Sequence, residues 1–249
     1  MAVGRDDRAV NVVISQSMYF PWVGFLEQIR LADVFVRYDD VQFSKGSFTN
    51  RVQIKTPTGI RWLSVPLKDL HLGQRISEVR LPDDDVWREQ HIGKLAHAYG
   101  NAPYRDEMLA LAKSVLCSSE DQNLGDLAFK STCALARYFG LSDRVQWRNV
   151  SAMSIGGGGS ARVLEVIKSV GGTRYITGHG ARHYLDHEAF EAAGVEVRYM
   201  QYSCKAYPQL HGDFTPFVSA LDLVANLGRR SEFFIKPHTI HWRNFSNEA

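Results

Sequence analysis

Four stretches of the sequence hold side chains that could do chemistry. Gln16, Tyr19 and Trp22 follow a run of apolar and β-branched residues, positions 10–15. A carboxamide and a phenol can orient a polar substrate, and an indole can stack on a sugar or a base. Asp39 and Asp40 end a second such run. Neighbours on an extended chain point to opposite faces, so these two carboxylates are not a dyad. One of them, assigned as Asp40, can bind substrate or act as a general base if burial raises its pKa. The stretch 42–55 gathers Gln42, Lys45, Asn50, Arg51 and Lys55. An Arg fork or a Lys point charge suits a phosphate or a carboxylate there. His179 lies in Thr177-Gly178-His179-Gly180, a strand-to-helix turn, and His91 lies on a helix. Either imidazole can accept a proton or donate to a substrate.

The same residues also fit structural roles. Tyr19 and Trp22 can be core aromatics, the 42–55 cations can line an exposed hairpin edge, and a lone His is often solvated. Gly156–Gly159, just before a helix, has the form of an anion cradle. It matches neither the dinucleotide fingerprint nor a P-loop, and four glycines also make a flexible loop.

These side chains need elements to hold them. Residues 10–15 read as a buried strand, 22–31 as a helix and 32–38 as a second strand, which makes a βαβ unit with a parallel pair. Pro57 and Gly59 between two short runs predict a hairpin. Helices are expected over 85–99, 106–116 and 121–139, the last closed by Gly140. Further strands fall at 145–150, 174–177 and 195–202. Helices fall at 161–169, with Ser160 as N-cap, and at 182–193. A last helix opens at Thr215-Pro216 and closes at Gly228. The expected fold is α/β and Rossmann-like: a mostly parallel sheet flanked by helices, in one domain spanning 1–249 with a helical insertion at about 85–140. Ligands of such sheets sit beyond the carboxyl ends of the strands, where Gln16, Tyr19, Trp22 and Asp40 fall.

Composition narrows the function. A net charge of +2 and the lack of any Lys/Arg run argue against a dedicated nucleic-acid binder. Three scattered cysteines, Cys117, Cys133 and Cys204, give no disulfide framework and no zinc knuckle, so a reducing compartment and inert thiols are expected. His179, His183 and His187 are spaced by four, yet no metal site is expected from them. The first eight residues lack the apolar core of a signal peptide, and no apolar run approaches a membrane span. The expected location is the cytoplasm.

The order of motifs along the chain resembles the WbqC-like protein family. The likeness begins with Gln16-x-x-Tyr19-x-Pro21-Trp22-x-Gly24, Ala32-Asp33-x-Phe35-Val36 and Asp39-Asp40-Val41-Gln42. It continues through Asn50-Arg51-x-x-Ile54-Lys55, Gly59, Trp62-Leu63-Ser64-Val65-Pro66 and His91. It ends with Tyr175-x-x-Gly178-x-Gly180-Ala181-x-x-Tyr184-Leu185, Tyr207-Pro208-Gln209, Phe214-x-Pro216 and Asp222-Leu223-x-x-Asn226-x-Gly228. Two stretches depart from the family pattern. Ser15-Gln16-Ser17 stands where many relatives have His-Gln-Pro, and Cys204-Lys205-Ala206 where many have His-Pro, so no role of those histidines is carried over. The layout around Trp22-Val23-Gly24-Phe25 is also similar to the His-x-Gly-His nucleotidyl-transfer enzymes, with aromatics in place of both histidines. That likeness extends to fold and not to adenylation.

The family resemblance implies surface-polysaccharide synthesis and, for some members, glycine transfer to an amino sugar. The expected reaction is acyl or aminoacyl (glycine) transfer onto a nucleotide-linked amino sugar of an O-antigen or a related polysaccharide. The donor would be a charged tRNA, an acyl thioester or ATP-activated glycine, and no residue pattern selects a cofactor. In this reading Gln16, Tyr19, Trp22, Gln42, Asn50, Arg51, Lys55, His179 and Gln209 bind substrate, and Asp40 or His91 takes the amine proton. The alternative is a non-catalytic scaffold of a polysaccharide biosynthesis cluster, which expects a broad apolar patch instead of a polar pocket.

Overall fold

The computed structural model describes residues 9–117 and 123–245. Strand β1 (Asn11–Ser15) leads into helix α1 (Val23–Leu31) and strand β2 (Val34–Arg37). The two strands pair in parallel, Val12 with Val34 and Val13 with Phe35. A hairpin follows, β3 (Arg51–Thr56) and β4 (Gly59–Ser64), and then three helices, α2 (Val86–Ala98), α3 (Arg105–Leu116) and α4 (Leu124–Tyr138). The chain returns to the sheet with β5 (Gln146–Asn149), α5 (Gly159–Ser169), β6 (Arg174–Thr177), α6 (His187–Ala192) and β7 (Glu196–Met200). It ends with α7 (Ala220–Leu227) and β8 (Thr239–His241).

The six-stranded sheet has the order β5-β2-β1-β6-β7-β8, parallel except for β8. This is the Rossmann-like α/β architecture. Strand alternation explains the layers. Val12, Ile14, Val34 and Val36 face Val163, Val166 and Ile167 of α5 and Phe190 of α6. Val13, Phe35 and Ile176 face Phe25, Leu26 and Ile29 of α1, in a core continuous with α2, α3, α4 and α7. Each central strand is apolar on both faces because helices cover both.

The order of strands matters for function. From β1 the chain first moves to β2 and β5 on one side, and later to β6 and β7 on the other. The boundary between β1 and β6 is therefore the topological switch point, where two loops diverge and leave a crevice.

Several predicted bounds move. The helix expected over 182–193 divides: residues His179–His183 form a 3-10 turn, and α6 begins only after Asp186, whose carboxylate accepts from the Ala189 amide. Ser160 is not the N-cap of α5. Gly158 holds that position without any side-chain cap, and the Ser160 hydroxyl accepts from the Asp186 amide at 2.8 Å instead. The last helix does not open at Pro216 but at Ala220, capped by Ser219. Strand β8 is three residues long, too short for a periodicity to reveal. Residues 1–8 and the predicted start of the third middle helix at 121 lie outside the described residues.

Candidate functional site

The turn after β1 is built under strain and then locked. Phe20 has φ 41°, a left-handed conformation that a bulky residue adopts only when its surroundings enforce it. Its amide donates to the Ser131 hydroxyl of α4 at 2.8 Å, and its carbonyl accepts from the Ser219 hydroxyl at 2.8 Å. Asp39 fixes the near side. It is buried, and its carboxylate accepts from the Ser17 amide (2.8 Å), the Ser17 hydroxyl (2.6 Å) and Arg37 Nε (2.6 Å). Arg37 also pairs with Asp126 at 2.6 Å. Asp39 is thus the brace of the loop, and Asp40, one residue on, points the other way. The opposite aims agree with the sequence expectation, although β2 ends at Arg37 and the two carboxylates lie in the loop beyond it.

Beyond these strand ends lies a crevice with two halves that share Ile14, Ser15, Met18, Tyr175 and Tyr184. One half, about 650 Å³, is aromatic: Trp22, Phe48, Tyr202 and Phe217 line it, with Gln28, Thr177 and His179. The Trp22 ring leans on Tyr202 and Phe217, with centroids at 4.8 and 5.7 Å. A Cβ on Gly24 would overlap the Trp22 ring, so only glycine lets the indole lie where it does. Tyr202 accepts from Gln28 Nε2 at 2.6 Å, and burial pushes its phenol up to about 12, so it stays protonated.

The other half, about 570 Å³, is polar. Gln16, Tyr38, Asp40, Gln42, Gly157–Gly159 and Arg162 line it. Arg162 forks onto both oxygens of Asp40, one of them at 3.1 Å, and donates through Nε to the Ile155 carbonyl at 3.0 Å. The guanidinium also lies 4.9 Å from the centre of the Tyr38 ring. The hydrogen bond that Arg162 donates to Asp40 raises the guanidinium pKa further, so it stays protonated. The α5 helix starts at this wall with its first amides uncapped by any side chain.

His179 bridges the site to β7. Its Nε2 lies 2.7 Å from the Met200 carbonyl, which can only accept, so Nε2 carries a proton and Nδ1 is the nitrogen that bears the lone pair in the neutral tautomer. The ring packs between Tyr202 and Phe245, with centroids at 5.3 and 5.0 Å.

The structure thus gathers Gln16, Trp22, Asp40, Gln42 and His179 around one crevice. It places the other predicted site residues elsewhere. Tyr19 and His91 form a buried pair: Tyr19 is fully enclosed, and its hydroxyl lies 2.9 Å from His91 Nδ1. His91 Nε2 donates to the Ser64 carbonyl at 3.1 Å, so both ring nitrogens are occupied. Burial lowers its pKa to about 4. This imidazole ties α2 and β4 to the first turn and has no open face for a substrate. Lys55 is not an exposed cation. It is buried and donates to Gln209 Oε1 (3.1 Å), the Gly212 carbonyl (3.1 Å) and the Asp213 carbonyl (2.5 Å). Gln209 also bonds the Thr215 backbone, so the pair pins the 209–215 loop. Asn50 donates to the Val65 carbonyl at 3.3 Å, and the Arg51 guanidinium lies over Trp62 at 4.1 Å, both on the hairpin.

Sequence reading misses Arg162, Tyr38, Tyr175, Tyr184, Tyr202 and Phe217. Arg162 carries a usable signal: it follows a glycine run by three residues, and first-turn side chains lean back towards the helix start. Cys204 is no nucleophile. Burial and the nearby Glu27 charge push its thiol up to about 11. The spacing of His179, His183 and His187 does not survive folding, because His187 starts a separate helix, where its Nε2 meets the Tyr199 hydroxyl at 2.8 Å. No helix among the described residues is long and apolar enough to cross a membrane.

Comparison with known proteins identifies the family. The WbqC-like protein family model matches residues 16–232. The chain is 30% identical over 228 residues to the uncharacterized protein Rv1507c of Mycobacterium tuberculosis, covering 91% of this chain and 97% of that protein. No solved structure matches. The matched region runs from Gln16 in the crevice, through the hairpin and helical middle, past the Arg162 and His179 walls and α7; the chain belongs to the WbqC-like protein family.

Proposed function

We propose that the chain is a transferase that binds a nucleotide-linked amino sugar in the crevice and joins an acyl or glycyl group to its amine. One observation carries this reading: a single crevice at the switch point of a Rossmann-like sheet has one polar, glycine-walled half and one aromatic half. Uncapped helix amides suit phosphate oxygens, and the Arg162 terminal nitrogens, whose charge Asp40 offsets, each keep one further N–H to donate beside them. Indole and phenol rings gathered in one wall suit the apolar face of a sugar or a base. A nucleotide-linked sugar has both chemistries in one molecule. Such a pocket favours a transferase over a scaffold, which needs a broad apolar patch.

Amide formation needs the amine deprotonated, because an ammonium group has no lone pair to attack a carbonyl. The sugar nitrogen forms a bond to the acyl carbon, the bond to the donor's leaving oxygen or sulfur breaks, and the leaving atom keeps that electron pair. The amine proton goes to Nδ1 of His179, a residue that lines the crevice and whose Nε2 is engaged by the Met200 carbonyl. Asp40 aims Arg162 and does not take the proton, since the guanidinium occupies both its oxygens. Gln16 and Gln42 supply carboxamides to sugar hydroxyls.

Mass spectrometry tests the reaction. The protein is incubated with a uridine-diphosphate amino sugar and, in turn, glycyl-tRNA, an acyl thioester, and glycine with ATP. A product heavier by one acyl group supports the reading. Its absence with every donor, in protein that binds the sugar, refutes the transfer step. Full activity in His179→Gln would remove that residue from the role.

A further inference from the structure

The hairpin holds a second cavity outside the crevice. Its volume is about 350 Å³, and it lies between the hairpin tip and helix α2. This is the low end of small-molecule sites and suits one compact moiety. Arg61, Trp62, Lys94 and His97 line it over an aliphatic floor from Ile54. Among the described residues no acidic side chain lines it. Lys94 and His97 are exposed and sit three apart on α2, on one helix face.

Trp62 is 40% exposed, which is unusual for the largest apolar side chain. The Arg51 guanidinium sits 4.1 Å from its ring centre and holds the indole in place. Phe48 lies 5.8 Å from it, and Phe48 also lines the aromatic half of the crevice. Phe48 and Trp62 therefore join the two cavities through one pair of rings.

A plain anion has no use for the indole, and an apolar ligand has no use for cations without a carboxylate among them. An aromatic base with a phosphate uses both. We propose that the hairpin cavity binds the phosphorylated nucleoside of the acyl donor, with the acyl end directed past Phe48 into the crevice. This rests on the reading of the crevice as the site of acyl transfer. Two kinds of donor carry that handle: a soluble thioester whose carrier ends in a phosphorylated nucleoside, and the single-stranded end of a charged tRNA.

Calorimetric titration of the whole chain separates them. The probes are adenosine 3′,5′-bisphosphate and, separately, a single-stranded RNA trinucleotide. Lys94→Glu and Trp62→Ala change exposed side chains, and Arg162→Ala changes the crevice alone. At least one probe is expected to bind, with affinity falling about tenfold or more in Lys94→Glu and in Trp62→Ala, and unchanged in Arg162→Ala. The probe that binds names the donor class. Binding of neither probe to the unaltered chain overturns the proposal, as does binding lost in Arg162→Ala and kept in Lys94→Glu. A uridine-diphosphate amino sugar is titrated into the same samples. Its failure to bind while a probe still depends on Lys94 refutes the crevice reading and leaves the hairpin site supported.

Discussion

Asp39 and Asp40 are adjacent, and the structure gives them different work, so replacing each by alanine should produce different damage. Asp39 is buried and takes three hydrogen bonds from Ser17 and Arg37. Asp39→Ala strands the buried Arg37 charge and leaves the Ser17 amide without its acceptor. Removing one partner of a buried pair costs about 3–5 kcal/mol. Asp126 still faces Arg37 but is half exposed, which places the expected loss near the lower end, about 3 kcal/mol. In a chain of this size 1 kcal/mol moves Tm by about 2–4 °C, so the melting point should fall by roughly 6–12 °C. Asp40→Ala should cost only about 1–2 kcal/mol, since crevice water can solvate the freed Arg162. Urea unfolding measures both, and a lower midpoint at constant slope marks a true stability change. The reasoning is refuted if Asp39→Ala unfolds within about 0.5 kcal/mol of the unaltered chain, or if Asp40→Ala is the more damaging change.

The remaining predictions concern the buried groups and the wall of the crevice. His91 has its folded pKa lowered to about 4 by burial, so the unfolded chain binds the extra proton first and stability rises from pH 4 to 6.5. Glu27 opposes this: burial raises its carboxyl to about 7, and its contribution falls as pH climbs from 4.5 to 7. Urea midpoints across pH 4–7 should rise less steeply in His91→Gln and more steeply in Glu27→Gln; parallel profiles for all three proteins would contradict both assignments. Gly24→Ala forces a methyl into the Trp22 ring and should cost about 1–3 kcal/mol by overpacking. It should also weaken sugar binding, and calorimetry showing unchanged affinity would mean that Trp22 is not part of the wall. Lys55→Met leaves the Gln209, Gly212 and Asp213 oxygens without their donor and should lower Tm while leaving nucleotide affinity unchanged. Loss of affinity at full stability would return Lys55 to a phosphate-binding role.

Much of the fold is legible in local pattern. The β-branched runs give β1 and β2, and their parallel pairing follows from the helix between them. Alternation along the chain suggests opposite aims for Asp39 and Asp40, but β2 ends at Arg37, and it is Ser17 and Arg37 on one side and Arg162 on the other that fix them. Contacts between distant segments are not legible in this way. Tyr19 and His91 each look available for chemistry, and only folding shows that they spend their polar atoms on each other across 72 residues. Lys55 reads as a hairpin cation because nothing nearby reveals that the 209–213 loop returns to cover it. The family likeness includes Tyr175 and Tyr184, but their place in the crevice depends on β6 lying beside β1. Strand β8 escapes notice because three residues carry no measurable period, and its pairing with β7 is set by tertiary contact.

The most direct measurement is calorimetric titration of a uridine-diphosphate amino sugar into the unaltered chain and into Arg162→Ala and Trp22→Ala. The two-halved crevice predicts binding to the unaltered chain and an affinity loss of about tenfold or more in each variant, since phosphate and ring are held by different walls. No binding to the folded, unaltered chain, or equal affinity in all three proteins, would contradict it.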